Sequence, residues 1–217
     1  MKQILNSKVK YPLFYALYLI AVWTFYRLSG INVPQEIDEF LVKPIVWLFP
    51  LFLLVRKQKS WIKSLGITRE NLLPGIYFAA VLGLIFAIEA FVVGYLKKGN
   101  FDFAQSFGQK AILYSLFISL GTAVSQEIAF RGYIFNRFWG FFKSEVLANL
   151  ITSLLWLIIH IPASIVLFGY SAGDAVSFLL LAFLYSLGAS FIFARTKNVF
   201  STILFYVLWE APIILFR

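Results

Sequence analysis

The chain has 217 residues, of which 61% are hydrophobic and 13% charged, and its formal net charge is +9. A soluble domain carries about a quarter charged residues. The 25 Phe and 6 Trp of this chain would also leave large apolar patches on a surface that faces water. An ordinary soluble domain is therefore excluded. Because the chain has no cysteine, disulfides, thiolate metal sites and a cysteine nucleophile are excluded as well.

Seven apolar runs follow one another along the chain and predict an all-α bundle of about seven transmembrane helices, in a single domain covering residues 1–217. A helix needs about 20 residues to cross the hydrocarbon layer, and most of the runs come close to that length. The second run is short and contains two prolines, so its length alone would also fit a re-entrant segment. The runs are Tyr11–Leu28, Pro44–Val55, Leu72–Leu96, Ala111–Phe130, Val146–Phe168, Ala175–Ala194 and Val199–Phe216.

The basic residues flank these runs and do not form one basic face, which argues against nucleic acid as a partner. If all seven runs span and the N-terminus is cytoplasmic, 13 of the 19 Lys and Arg residues face the cytoplasm. If the second run did not span, the basic segment 56–69 would lie outside, against the positive-inside rule. We therefore predict seven spans with the N-terminus inside. This topology places outside the acidic cluster Glu36, Asp38 and Glu39, the basic residues Arg27 and Lys43, and the aromatic segment Phe101–Lys110, along the outer interface.

Ionisable side chains are costly inside a bilayer, so each one within a predicted span is a candidate functional residue. Glu127 and Arg131 are four residues apart and share a helix face. Arg131 is either a structural partner of Glu127 or holds it ionised for work on a water molecule. Tyr206 lies one turn before Glu210 on the same face, and we assign no role to Glu89. The candidates are Glu89, Glu127, Arg131, His160 and Glu210, with Gln126 and Tyr206 as polar companions.

His160 is the only histidine of the chain, one turn after Trp156 and just before Pro162. The proline removes a backbone donor and loosens the helix there. A lone histidine in an apolar helix fits a packing residue, whereas a carboxylate close to it would allow the pair to move a proton.

The segment 126–132, Gln-Glu-Ile-Ala-Phe-Arg-Gly, resembles the Glu-Glu-x-x-x-Arg motif of the CAAX protease and bacteriocin-processing (CPBP, or Abi) intramembrane protease family. Trp156 and His160 are similar to its second motif, an aromatic residue with His four positions later. Tyr206 and Glu210 stand where the family has His-x-x-x-Asn or Asp. Order and spacing agree over residues 111–216, which we take as a family-like core.

The resemblance implies an intramembrane endopeptidase that acts on a membrane-associated peptide or protein, in a bacterial plasma membrane. In the family the first motif carboxylate is held to activate a water, helped by the histidines and the asparagine. Here Gln126, Tyr206 and Glu210 replace the carboxylate, a histidine and the asparagine, and His160 alone is unchanged. Glutamine cannot take up a proton at neutral pH. No residue indicates prenyl processing.

Three accounts of function remain open. In a rearranged hydrolase, Glu127 or Glu210 is the base, His160 orients the water and Tyr206 stabilises the oxyanion. In a pseudo-protease, the cavity binds a peptide, lipid or membrane protein without cutting it. In a transporter subunit, the same charges line a path, although we find no inverted repeat.

No cofactor is predicted. Catalytic zinc usually has three protein ligands, and here they could come only from His160 with Glu127 and Glu210. There is no His-Glu-x-x-His pair, so zinc is disfavoured.

Overall fold

A computed structural model describes residues 2–58, 62–98, 112–167, 169 and 171–216. These residues form seven long helices and no strand, which confirms the all-α prediction. The predicted boundary residues Ala111 and Phe168 and the segment Phe101–Lys110 lie outside the described residues. The helices are α1 (Lys2–Leu28), α2 (residues 35–57), α3 (Leu72–Lys98), α4 (residues 112–142), α5 (residues 145–167), α6 (Ala172–Thr196) and α7 (Val199–Phe216).

Four of the described helices are long and apolar enough to cross a membrane. Helix α7 contributes a shorter apolar stretch, Val199–Ala211. Leu73 and Leu84 of α3 are 78% and 61% exposed, as expected for side chains that face lipid. The chain is an integral membrane protein on these grounds. The four helices are Leu72–Val93, Leu113–Phe142, Glu145–Ile165 and Ala172–Thr196.

Helix α2 begins earlier than the predicted run, at Gln35 and not at Pro44, and continues to Lys57. At a rise of 1.5 Å per residue it is about 34 Å long, enough to cross the hydrocarbon layer. The predicted start of the second run at Pro44 was wrong, because Asp38 and Glu39, placed before that run, lie inside the helix and are buried.

Two tyrosines of α1 hold the irregular middle of α2. The α-helical partner of the Val46 carbonyl would be the nitrogen of Pro50, which has no hydrogen to donate. The Tyr18 hydroxyl donates to that carbonyl at 3.1 Å, and the Tyr15 hydroxyl donates to the Trp47 carbonyl at 2.6 Å. Packing against α1 therefore gives a donor to the carbonyl that the proline leaves open, and a further donor to its neighbour Trp47.

Helices α2 and α4 run in the same direction, as expected for the second and fourth of successive spans. Thr122 of α4 hydrogen-bonds Glu39, and further along Phe130 of α4 packs on Trp47, with ring centres 5.9 Å apart. Residue numbers thus rise together along both helices, so equivalent turns of α2 and α4 lie side by side.

Gly132 lies at a close approach between α4 and the turn Ile62–Leu65. A Cβ atom at this position would be 2.6 Å from the carbonyl oxygen of Leu65, so the backbone would have to shift. We expect Gly132→Ala to lower the free energy of unfolding by about 1–3 kcal/mol, measured by thermal unfolding in detergent. Gly140→Ala is the control, since its Cβ would meet nothing within 4 Å. Equal unfolding temperatures for the two variants would contradict the expectation.

Candidate active site

A cavity of about 310 Å³ lies between helices α1, α2, α4, α5, α6 and α7. Four of the six predicted site residues line it, and they come from three different helices. The other two, Glu127 and Arg131, are not among its lining residues. The four are Gln126 of α4, His160 of α5, and Tyr206 and Glu210 of α7.

The carboxylate of Glu210 is oriented by its own helix. Tyr206, one turn earlier, donates its hydroxyl hydrogen to Oε1 of Glu210 at 2.8 Å. This pairing follows from the spacing of four residues, which places both side chains on one face. Tyr206 itself is only 2% exposed, so the carboxylate has a fixed partner.

The imidazole of His160 has a defined tautomer. Its Nδ1 lies 2.8 Å from the carbonyl oxygen of Trp156, and a carbonyl oxygen can only accept. Nδ1 therefore carries the hydrogen, and in the neutral ring Nε2 keeps a lone pair. The ring also packs on the Trp156 indole, with centres 4.6 Å apart. His160 can thus accept a hydrogen bond at Nε2 from a water molecule.

Gln126 brings an unsatisfied amide to the cavity. The side chain is 5% exposed, and its Oε1 has no hydrogen-bond partner among the described residues. Buried polar atoms nearly always have a partner, so we expect a water or a ligand group there. The adjacent Glu127 lies about 100° further around the helix axis, which is why only one of these two neighbours reaches the cavity.

Glu127 and Arg131 form a buried ion pair behind the cavity wall. Both are 0% exposed, and Oε1 of Glu127 accepts from Arg131 at 2.8 Å and from the Tyr185 hydroxyl at 2.8 Å. The Arg131 guanidinium lies 4.3 Å from the centre of the Trp156 ring, a distance typical of a cation–π contact. The Trp156 carbonyl orients His160, so the Glu127–Arg131 pair helps to fix His160 by packing on Trp156.

Sequence reasoning missed a charged pair that lines the cavity, Glu39 and Lys43 of α2. The Lys43 ammonium donates to the Glu39 carboxylate, which also accepts from the Thr122 hydroxyl at 2.7 Å. Lys43 is 2% exposed and lines the cavity. Their spacing of four residues was a visible signal, but they precede the apolar run and so were placed outside.

The residues around the cavity do not fit a zinc centre. Within the described stretches of the chain, no three His, Asp or Glu side chains come close enough to hold a metal ion. Only one histidine is present in the sequence, and a catalytic zinc site usually needs three protein ligands.

Residues 108–211 match the family model described as type II CAAX prenyl endopeptidase Rce1-like. The match confirms the resemblance drawn from the motifs and supports an intramembrane endopeptidase-like role. It contains all six predicted site residues, whereas α1, α2 and α3 precede it. Comparisons with curated proteins and with solved structures found no match.

Proposed function

We propose that the chain is an intramembrane hydrolase of peptides in which a carboxylate and an amide have exchanged positions. The family motifs have a carboxylate where Gln126 stands and an asparagine where Glu210 stands. With His160 unchanged, these three motif positions still supply one carboxylate, one amide and one imidazole. The observation that carries the proposal is that all three side chains line the same cavity.

In the proposed reaction, a water molecule lies between Glu210 and Nε2 of His160. The water oxygen attacks the carbonyl carbon of the peptide as its proton passes to Glu210, the general base. Tyr206 occupies Oε1 of Glu210, so the other carboxylate oxygen takes the proton. The amide N–H of Gln126 donates to the oxyanion of the tetrahedral intermediate.

Collapse of the intermediate breaks the carbon–nitrogen bond. Glu210 returns its proton to the departing amine, so the products are a carboxylic acid and an amine and the enzyme is regenerated. His160 keeps its Nδ1 hydrogen on the Trp156 carbonyl throughout. It therefore acts as an acceptor that orients the water and does not itself supply a proton.

The shape of the cavity favours an extended peptide as substrate. On α2 the lining residues extend from Gln35 to Trp47, and on α4 from Tyr114 to Gln126. Each interval is 12 residues, or about 18 Å along a helix, which equals about five residues of extended chain. We propose a membrane-associated peptide or protein segment as the substrate.

A second candidate is a pseudo-protease that binds such a segment without cutting it. Two carboxylates line the cavity, and each already has a partner: Glu210 has Tyr206, and Glu39 has Lys43 and Thr122. A carboxylate that accepts a hydrogen bond is a weaker base, which favours binding over hydrolysis.

Cleavage of lipid-anchored peptides separates the two candidates. The protein is reconstituted in liposomes with a panel of palmitoylated and farnesylated peptides, and products are measured by mass spectrometry. We expect Glu210→Gln and His160→Ala each to lower turnover by at least about 100-fold, since general-base catalysis contributes that much. Glu89→Gln is the control, because it removes an intramembrane carboxylate that does not line the cavity.

Peptides that bind the wild-type protein but remain uncut would reject hydrolysis and favour the pseudo-protease. Equal turnover of the Glu210→Gln and Glu89→Gln variants would reject Glu210 as the base.

A further inference from the structure

Helix α2 presents a charged stripe to the cavity although it precedes the family-matched region. Gln35, Glu39, Lys43 and Trp47 follow one another at intervals of four residues, and all four line the cavity. In a regular α-helix, side chains four residues apart differ in direction by about 40° around the helix axis. The stretches 38–42 and 44–48 are π-helical, and their wider turns reverse this difference. The irregular backbone thus keeps Lys43 turned toward the site.

The backbone positions of Lys43 and Gln126 lie at the same level along α2 and α4. Glu39 of α2 is hydrogen-bonded to Thr122 of α4, and the two helices run in the same direction. Lys43 is four residues beyond Glu39, and Gln126 is four residues beyond Thr122. Both residues therefore sit about one turn, or 6 Å along the helix, beyond the residues joined by that hydrogen bond.

Lys43 is held in place but keeps capacity to bind. Its ammonium donates to Glu39 and lies 5.3 Å from the centre of the Trp23 ring. An ammonium has three donors, so the bond to Glu39 leaves two. Arg131 is likewise paired with a carboxylate, Glu127, but it does not line the cavity.

The hydrolysis proposed above moves one negative charge within the cavity. Before attack the charge is on Glu210, and after attack it is on the oxyanion, because the proton has passed to Glu210. His160 stays neutral in this scheme. A fixed cation lowers the barrier only where it stabilises the oxyanion more than it stabilises Glu210, so it has to contact the oxyanion directly.

We propose that Lys43 is the anion-stabilising residue of this cavity, contacting the oxyanion of a bound peptide, with Glu39 as its positioning residue. The inference rests on the proposed function for its catalytic role. The binding of an anion by Lys43 can be measured without any cleavage.

Two uncleavable probes test the proposal on the full-length protein in nanodiscs. Both are palmitoylated hexa-alanine peptides, one with an anionic phosphinate and one with a neutral ketomethylene in place of a central amide. We expect the wild type to bind the phosphinate at least about tenfold more tightly. The Lys43→Met/Glu39→Gln variant removes the whole ion pair and leaves no buried charge unpaired. In this variant the ratio of the affinities for phosphinate and ketomethylene should fall to about two or less.

The control is Glu145→Gln/Arg195→Met, an ion pair between α5 and α6. Its N–O distance is 2.8 Å, its side chains are 25% and 45% exposed, and neither residue lines the cavity. It should keep the wild-type ratio of affinities. Any of three results would overturn the proposal. The wild type could show no preference for the phosphinate, the Lys43→Met/Glu39→Gln variant could keep that preference, or the control could lose it equally.

Turnover distinguishes this inference from the proposed function. If peptides are cleaved, Lys43→Met/Glu39→Gln should lower kcat by at least about 100-fold with KM changed less than about threefold, and Lys43→Arg should keep about a tenth of kcat or more. A Lys43-dependent preference without cleavage of any peptide would support the anion site and reject hydrolysis. Cleavage with a preference independent of Lys43 would reject Lys43 and leave hydrolysis standing.

Discussion

Replacing Glu210 with asparagine is expected to lower turnover of lipid-anchored peptides by at least about 100-fold, and adding Gln126→Glu to that variant is expected to raise turnover again by at least about tenfold. The double variant has the carboxylate and the amide in the positions of the family motifs. Because both positions line one cavity with His160, a carboxylate at either of them can reach a shared water. Initial rates in liposomes measure both changes.

The control for this exchange is Glu210→Asn with Gln126→Asn, which changes the same two positions but supplies no carboxylate. It should remain as inactive as Glu210→Asn alone. Recovery in the control would show that a carboxylate is not needed at position 126. Failure of the Gln126→Glu double variant to recover, with both proteins folded, would contradict the exchange.

Sequence reasoning located the helices well where apolar residues continue for about 20 positions, as in α3 and α6. It failed at the start of α2, where Asp38 and Glu39 were placed outside, before the second apolar run. Hydropathy treats each charge as exposed, whereas in the fold Asp38 pairs with Arg27 and Glu39 with Lys43. Pairing lowers the cost of burial, and only the packing of neighbouring helices shows it.

The candidate site was predictable only where it depends on the geometry of a single helix. Helix geometry alone indicated that Gln126 and Glu127 point in different directions, and the structure has only Gln126 in the cavity lining. Motif spacing also indicated that Tyr206 and Glu210 share a face, and they are hydrogen-bonded. The role of Lys43 depends on how α2 packs on α4, which no local pattern encodes.

Removing the carboxylate of Glu127 is expected to have the largest effect on stability. Glu127→Gln would leave the Arg131 guanidinium buried without its counter-charge, and breaking a buried pair in this way costs about 3–5 kcal/mol. Both residues are 0% exposed, so water cannot compensate. Thermal and denaturant unfolding in detergent measure the loss. The control is Glu145→Gln, whose partner Arg195 is 45% exposed, so the loss there should be about 1 kcal/mol or less.

Removing both charges separates the structural role of the pair from its effect on the site. Glu127→Gln/Arg131→Met leaves no unpaired charge, so it should recover most of the lost stability. Its turnover should still be reduced, because Trp156 loses the cation that packs on its ring and the Trp156 carbonyl orients His160. A single Glu127→Gln variant as stable as Glu145→Gln would contradict the pairing. A stable double variant with full turnover would show that His160 is positioned without this support.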